Sequence, residues 1–151
     1  SSTAHRMGRM DFEDLDFEAR GYNASSAYAQ SKLANLLFIA ELARKLDGAG
    51  ADVLAAAAHP GWTQTNLQKH STVFQFMNPL FGMQPIGGAL PTLRAATDRS
   101  VAANDYFGPG RFFEIWGAPK KVGRTERAKS IADASRLWEI SEERSGVRFD
   151  L

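Results

Sequence analysis

The chain has 151 residues, a length that suggests one domain with at most a small second one. Its 18 Lys and Arg residues nearly balance 17 Asp and Glu residues, which argues against a dedicated nucleic-acid-binding protein and against a disordered acidic chain. The absence of cysteine excludes disulfide scaffolds, thiolate zinc sites and cysteine nucleophiles. No apolar run approaches the length of a membrane span, and no signal-peptide pattern is present, so the sequence predicts a soluble, cytoplasmic protein.

The first part of the sequence predicts a polar loop segment followed by a long helix. Residues 1–24 are rich in polar and turn-forming residues and predict loop structure. A helix is predicted over 25–45, because apolar residues recur there at steps of three and four. Asn23 or Ser25 is a suitable N-cap, and the glycine-containing run 47–50 is expected to end the helix.

Residues 52–59 predict a buried strand. They form a short, continuous apolar run between Gly50 and the Pro60-Gly61 pair. Such a run, bounded by turns, is typical of a strand buried on both faces of a parallel sheet. A helix, a tight turn and a buried strand together make half of a β-α-β unit.

The rest of the chain predicts two helices, one strand and a basic loop. Residues 73–86 are apolar but interrupted by glycine and proline, which favours a mobile lid over a lipophilic substrate, with core packing as the alternative. A helix is predicted over 88–97 and a strand over 111–116, after a Gly-Pro-Gly turn. A basic loop is predicted over 120–127 and an amphipathic helix over 131–145.

Tyr28 and Lys32 form a candidate acid–base pair. They lie four residues apart on the predicted helix, so their side chains share one face. A cation beside a phenol lowers the phenol's pKa from about 10, and such a tyrosine can exchange a proton with a carbonyl or an alcohol. The same spacing also arises by chance, so the pair alone does not establish a site.

The turn after the predicted strand is a candidate ligand site. Ligands of open α/β sheets bind beyond the carboxyl ends of strands, and the Pro60-Gly61 pair lets the backbone approach a ligand closely. Thr63 and Thr65 offer hydroxyl and backbone groups for an amide or a phosphate. The alternative is a plain strand-exit turn in which Thr65 is an N-cap.

The serine pair at the start of the chain could act on the same substrate. Ser1 and Ser2 precede the loop that leads to the tyrosine helix, and a serine hydroxyl could polarise a carbonyl beside Tyr28. The alternative is a disordered terminus.

The sequence resembles the short-chain dehydrogenase/reductase family. The resemblance lies in three features and their order along the chain: the serine pair, the Tyr28-x-x-x-Lys32 motif and the Pro60-Gly61-x-x-x-Thr65 motif. Within this family, the sequence is most similar to the retinol-dehydrogenase-like branch. It includes the stretched loop after the serine pair, residues 28–35 (Tyr-Ala-Gln-Ser-Lys-Leu-Ala-Asn), the histidine before Pro60, and residues 134–143. The resemblance covers essentially the whole chain.

The resemblance implies roles for the catalytic residues. Tyr28 would be the acid/base and would also contact the cofactor, and Lys32 would lower the pKa of Tyr28 and bind the nicotinamide ribose. Ser2, in preference to Ser1, would orient the substrate oxygen. The reaction would be reversible hydride transfer between NADP (or NAD) and a small carbonyl or alcohol substrate, with the hydride supplied by the cofactor.

The resemblance also implies a cofactor-binding turn. Thr63 and Thr65 would contact the nicotinamide amide and the pyrophosphate, in a turn that also contains Pro60, Gly61 and Trp62. The preference for NADP over NAD comes from the resemblance alone. A homodimer in which the tyrosine helix packs against its copy would also fit the family.

The implied fold is α/β, a Rossmann-like doubly wound parallel sheet. The glycine-rich dinucleotide fingerprint and the Asn-Asn-Ala-Gly segment of the family do not occur in this sequence. Two strands with three helices would also leave much of a sheet exposed. We therefore interpret residues 1–151 as the C-terminal, catalytic half of a single dinucleotide-binding domain. The isolated chain is expected to bind dinucleotides weakly and to be inactive.

Two other functions remain open at this level. One is a non-catalytic dinucleotide-binding or regulatory module with the same fold. The other is nucleic-acid binding through a basic patch, which is disfavoured because no aromatic residue is interleaved among its charges. The patch consists of Lys120, Lys121, Arg124, Arg127 and Lys129.

The three histidines do not predict a metal site. His5, His59 and His70 are scattered and lack the spacing of metal ligands. His59 is expected to end the strand and pack near the turn that follows it.

Overall fold

A computed structural model of the chain describes residues 1–63 and 83–150. Thr65, His70 and most of the predicted lid over 73–86 lie outside these ranges. The elements in chain order are a 3₁₀ helix at Thr3–Arg6, helix α1 (Ala24–Gly48), strand β1 (Ala57–Ala58), helix α2 (Pro85–Thr97), strands β2 (Tyr106–Arg111) and β3 (Trp116–Lys121), a 3₁₀ helix at Glu126–Lys129 and helix α3 (Ile131–Ser145). None of the helices in the described ranges is both long and apolar enough to cross a bilayer.

The predicted α/β fold class is confirmed by a three-stranded sheet in the order β1-β2-β3. β1 pairs with β2 in parallel, with Ala57 opposite Tyr106, whereas β2 and β3 pair antiparallel, with Phe107 opposite Lys121. An antiparallel edge strand on an otherwise parallel sheet is common in α/β folds. The described sheet is therefore mixed rather than purely parallel.

The two long helices agree with the sequence-based predictions. The Asn23 side chain caps α1 by accepting a hydrogen bond from Ser26 N at 2.9 Å. α3 has the predicted bounds, with Ser130 as its N-cap and Gly146 in the left-handed region at its end. α2 begins at Pro85 rather than Gly88, because proline suits the first turn of a helix, where its missing N–H is not needed.

The prediction of a strand over 111–116 is wrong. Residues 112–115 form the turn between β2 and β3, and the Gly-Pro-Gly run that predicted a turn lies within β2. Gly108 is required there by packing, because a Cβ atom would lie 2.0 Å from His59 Nε2. Pro109 is tolerated because β1 pairs only with Tyr106 and Phe107, and a register irregularity follows Pro109.

The predicted strand over 52–59 is shorter than expected. Hydrogen bonds to the neighbouring segment begin at Ala55, whose carbonyl accepts from Asn104 N at 2.8 Å, and end at His59 N. Val53 and Leu54 are 62% and 60% exposed, so the prediction that the strand is buried on both faces is wrong for these two residues. The run is apolar throughout, but only its second half reaches β2.

The predicted basic loop over 120–127 is also corrected. Lys120 and Lys121 belong to β3, and a 3₁₀ helix begins at Glu126. Lys121 forms an ion pair with the buried carboxylate of Asp105, so the Lys121 ammonium lies next to the sheet.

The main core lies between α1, α3 and the sheet. Leu33, Leu36 and Leu37 of α1 are buried against Tyr106 of β2 and Leu137 of α3. Burial of aliphatic side chains of this size stabilises a fold by about 1.5–3 kcal/mol each. This packing fixes the apolar face of α1 and so determines which residues of that helix face outwards.

We expect Leu36→Ala to lower the free energy of unfolding by about 2–5 kcal/mol, because Leu36 is completely buried and its removal leaves a cavity. The measurement is urea unfolding of the full-length protein. Leu54→Ala is the matched control, since its side chain is exposed and the expected change is within about 0.5 kcal/mol. Equal losses in both variants would contradict the assignment of the core.

Candidate active site

Tyr28 and Lys32 lie together on the first turns of α1, as the sequence predicts. The Lys32 ammonium is 5.0 Å from the centroid of the Tyr28 ring. The Tyr28 side chain is on a partly open surface, with 39% of the residue exposed. A cation therefore lies beside a phenol that a small molecule can reach.

The other described tyrosines are less suited to proton transfer at neutral pH. Tyr106 is 1% exposed, and burial raises the pKa of its phenol to about 12. Tyr22 is exposed on the loop before α1, and its nearest ring contact is Phe17 at 6.0 Å. Tyr28 differs from these two tyrosines because it is both exposed and next to a cation.

The serine pair is held between α1 and the sheet. Ser1 Oγ donates to the carbonyl of Lys32 at 2.8 Å, and Ser1 N donates to the carbonyl of Ala58 at 2.9 Å. The Ser2 hydroxyl caps the first 3₁₀ helix by accepting from Ala4 N at 3.2 Å. These contacts replace the alternative of a disordered terminus, and the Ser2 hydroxyl keeps its own proton to donate to a ligand.

The Pro60–Thr63 turn is built on the β2–β3 turn. Gly61 has φ +69°, and a Cβ atom there would lie 2.4 Å from the carbonyl oxygen of Ile115. Trp62 N donates to the same carbonyl at 3.0 Å. Only glycine fits this close approach of two backbones, so the conformation of the turn depends on a segment more than fifty residues away in sequence.

Thr63 connects the same turn to α2. Its hydroxyl donates to the carbonyl of Pro60 at 3.0 Å, and Met83 N donates to the carbonyl of Trp62 at 2.8 Å. A Cβ atom at Gly88 would lie 2.2 Å from Thr63 Oγ1, so α2 packs directly on this side chain. The Thr63 hydroxyl donates its proton inside the turn and the residue is 7% exposed, so this side chain joins the turn to α2. The companion residue Thr65 lies outside the described ranges.

His59 directly follows β1, its N–H still bonds to the carbonyl of Phe107, and its ring packs beside the turn, as the sequence predicts. The ring is 1% exposed, and its Nδ1 accepts from Gly61 N at 3.2 Å. Its Nε2 lies 3.1 Å from Oε2 of Glu114. Burial lowers the pKa of His59 to about 4, so the imidazole is neutral at pH 7.

Three residues near the site carry no signal in the sequence. His5 is fully buried, with Nδ1 2.7 Å from the carbonyl of Ser2, and burial lowers its pKa. Arg6 and Glu114 form an ion pair at 2.8 Å. The partners in this pair are 108 positions apart, so sequence spacing could not have identified it.

Over residues 1–63 and 83–150, no group of three or more His, Asp or Glu side chains is placed to hold a metal ion. Four of the five residues of the predicted basic patch make hydrogen bonds or ion pairs with other parts of the protein. These are Lys121 with Asp105, Arg124 with the carbonyl of Asn104, Arg127 with the carbonyl of Gly8, and Lys129 with Glu126. The patch therefore has a structural explanation.

An open cleft borders β1 on the side away from β2. Its volume is about 290 Å³, and it is lined by Ser1, Asn35, Phe38, Ile39 and residues 56–58. It thus lies between the tyrosine helix and the free edge of β1, next to the serine pair.

Comparison with known proteins gives a consistent set of relatives. Over 97% of its length the chain is 35% identical to retinol dehydrogenase 14 of Mus musculus, and over 99% it is 35% identical to human retinol dehydrogenase 12. It covers 43% and 45% of these two relatives, so it spans less than half the length of each. No protein-family model matches the chain.

A solved structure supports the same assignment. A crystal structure of an uncharacterized protein from Mycobacterium paratuberculosis superposes on the whole chain with a TM-score of 0.80 and 41% sequence identity, and the match covers 50% of that protein. At this identity, similarity over the full chain indicates common ancestry as well as a common fold. The chain belongs to the short-chain dehydrogenase/reductase family, in its retinol-dehydrogenase-like branch.

Proposed function

We propose that these residues form the catalytic part of an NAD(P)-dependent oxidoreductase that interconverts a carbonyl compound and an alcohol. The observation that carries the proposal is the position of the Lys32 ammonium, 5.0 Å from the ring centroid of the accessible Tyr28. The serine pair is tied to the same helix through the carbonyl of Lys32. The names of the relatives make retinol and retinal the first substrates to test.

The residues around this pair fit a nicotinamide dinucleotide. The Pro60–Thr63 turn lies at the carboxyl end of β1, where ligands of α/β sheets bind. Lys32 offers an ammonium for the ribose hydroxyls. Thr63 is 7% exposed, and we propose that it contributes to the nicotinamide amide site as part of this turn. The bound dinucleotide would supply or accept the hydride. NADP is our preferred form of the cofactor.

The chain's own residues would move the proton. In the reducing direction the Tyr28 phenol donates to the carbonyl oxygen of the substrate, and in the oxidising direction it accepts the proton of the alcohol. The Lys32 ammonium stabilises the phenolate that remains after donation. The Ser2 hydroxyl, anchored as the cap of its 3₁₀ helix, would hold the substrate oxygen in place.

We also propose that residues 1–151 are the C-terminal half of a dinucleotide-binding domain. On its side away from β2, β1 is met by Ser1 through the Ala58 carbonyl, and the cleft beside this edge leaves room for further strands of a parallel sheet. The coverage of less than half of the retinol dehydrogenases supports the same proposal. A homodimer and a cytoplasmic location remain predictions.

Tyr28→Phe should lower turnover of retinal by at least about 100-fold in the full-length protein, because it removes the proposed proton donor. Binding of NADPH, measured by calorimetry, should be unchanged. Tyr22→Phe is the matched control and should retain full activity, since Tyr22 lies on the exposed loop before α1. If the Tyr28→Phe variant turned over retinal as fast as the wild-type protein, the assignment of Tyr28 would be refuted. If the wild-type protein bound dinucleotide but showed no turnover, a non-catalytic module would be favoured.

Lys32→Met should both lower turnover and weaken NADPH binding, because the ammonium is proposed to act on Tyr28 and on the ribose. Steady-state kinetics with varied NADPH separate the two effects. Lys45→Met controls for the loss of a lysine from the same helix, since the Lys45 ammonium lies 5.2 Å from the ring centroid of Trp138 instead. A variant of Lys32 that changed neither parameter would contradict the proposal.

The chain of 151 residues by itself should bind NADPH and NADH only weakly, because the glycine-rich pyrophosphate turn does not occur in its sequence. Titration calorimetry with each dinucleotide tests this expectation, with the full-length protein as the control. Micromolar binding to the isolated chain would contradict the half-domain proposal.

A further inference from the structure

One carboxylate joins three segments that meet at the candidate site. Glu114 lies in the β2–β3 turn, and its Oε1 accepts from the Arg6 guanidinium at 2.8 Å. Its Oε2 lies 3.1 Å from His59 Nε2, at the end of β1. The Glu114 side chain is 15% exposed, whereas that of Glu126 is 88% exposed in its own ion pair. The Glu114 carboxylate and its contact with His59 are therefore largely shielded from solvent, whereas the Arg6 side chain is 47% exposed.

The hydrogen bonds of His59 define which ring nitrogen carries the proton. Nδ1 accepts the N–H of Gly61, so it carries no hydrogen. The proton of the neutral ring is consequently on Nε2, which donates to Glu114. A carboxylate that accepts from one nitrogen of a histidine fixes the ring's tautomer and orientation. Glu114 thus acts on the Gly61 amide through the imidazole.

The turn after β1 is held from two directions by the same hairpin. Its backbone contacts the carbonyl of Ile115, and its Gly61 amide is held through His59 by Glu114. Glu114 itself has φ +66°, and Phe112 and Phe113 also have positive φ values. Non-glycine residues in this region are strained, and they persist where surrounding contacts over-determine the backbone. The ion pair with Arg6 and the bond from His59 are such contacts.

Arg6 extends the connection to the serine pair. It lies in the 3₁₀ helix whose N-cap is Ser2, so the Glu114 carboxylate contacts both the serine segment and the end of β1. Both segments precede Glu114 in the sequence, Arg6 by 108 positions and His59 by 55. Displacement of this carboxylate would therefore remove a contact from the serine segment and a contact from the turn at the same time.

We propose that Glu114 is a positioning residue for the Pro60–Thr63 turn: it orients His59 so that the imidazole holds the Gly61 amide, and it couples the turn to the Ser2 segment through Arg6. The inference rests on the proposed function, in which this turn binds the dinucleotide. Glu114 contacts neither Tyr28 nor Lys32 in the hydrogen bonds and ion pairs of the described residues, so its effect on binding is indirect.

The test is a double-substitution cycle in the full-length protein, with the KM for NADPH as the readout. Glu114→Ala should raise this KM roughly tenfold, the size of one hydrogen bond to a charged group, with a smaller change in kcat. His59→Ala should give a similar increase, and the double variant should be no worse than either, because both act through one connection. Glu114→Gln keeps an acceptor for His59 Nε2 and should recover most of the affinity.

Glu126→Ala is the matched control, since it removes a carboxylate from an exposed ion pair away from the turn, and it should leave the KM unchanged. Hydrogen exchange of residues 57–63 should be faster in Glu114→Ala than in this control, without added dinucleotide. If the alanine variant does not fold, Glu114→Asp takes its place, because it keeps the charge but withdraws it from His59. It should raise both the KM and the exchange rate.

The two levels of the proposal fail differently. A wild-type protein that neither binds nor oxidises NADPH overturns the proposed function, and with it the role of this turn. An active wild type in which Glu114→Ala behaves like Glu126→Ala overturns the positioning role alone. Additive effects of the Glu114 and His59 substitutions would do the same.

Discussion

Burial of one face of α1 is the constraint on which the rest of the structure depends. Leu33, Leu36 and Leu37 pack against the sheet and α3, which fixes the rotation of the helix about its axis. Once that rotation is set, Tyr28 is directed to the partly open surface, and the carbonyl of Lys32 is available to Ser1. A hydrophobic contact far from any chemistry therefore determines where the candidate acid–base pair can act.

Polar contacts then fix the loops that this packing leaves adjustable. The serine pair, the turn after β1 and the β2–β3 turn are distant in sequence, and each has a backbone that the sheet ladder does not satisfy. His59 and the carbonyl of Ile115 supply partners for the turn after β1, and His5 and the carbonyl of Ala58 do so for the serine pair, while Glu114 holds the His59 ring. Because buried polar groups are costly when unpaired, the three loops are stable in one mutual arrangement. The positions proposed for the substrate oxygen and the dinucleotide follow from that arrangement.

The sequence predicted the elements whose signals are local and missed those that depend on neighbours. The two long helices were found because the apolar repeat and the caps Asn23 and Ser130 belong to the helices themselves. The Gly-Pro-Gly run was misplaced because Gly108 is needed for the His59 ring rather than for a turn. The real turn, at residues 112–115, contains aromatic residues that nothing local distinguishes from a strand.

By itself, the sequence determined the family resemblance, the shared face of Tyr28 and Lys32, and the end of β1 at His59, because helix geometry and strand length follow from short-range spacing. The tertiary structure alone decided that Ser1 is tied to α1 and β1, that Gly61 must lack a side chain, and that Glu114 reaches both Arg6 and His59. These contacts join residues more than thirty positions apart. They exist only once packing has brought the segments together, since no local pattern encodes them.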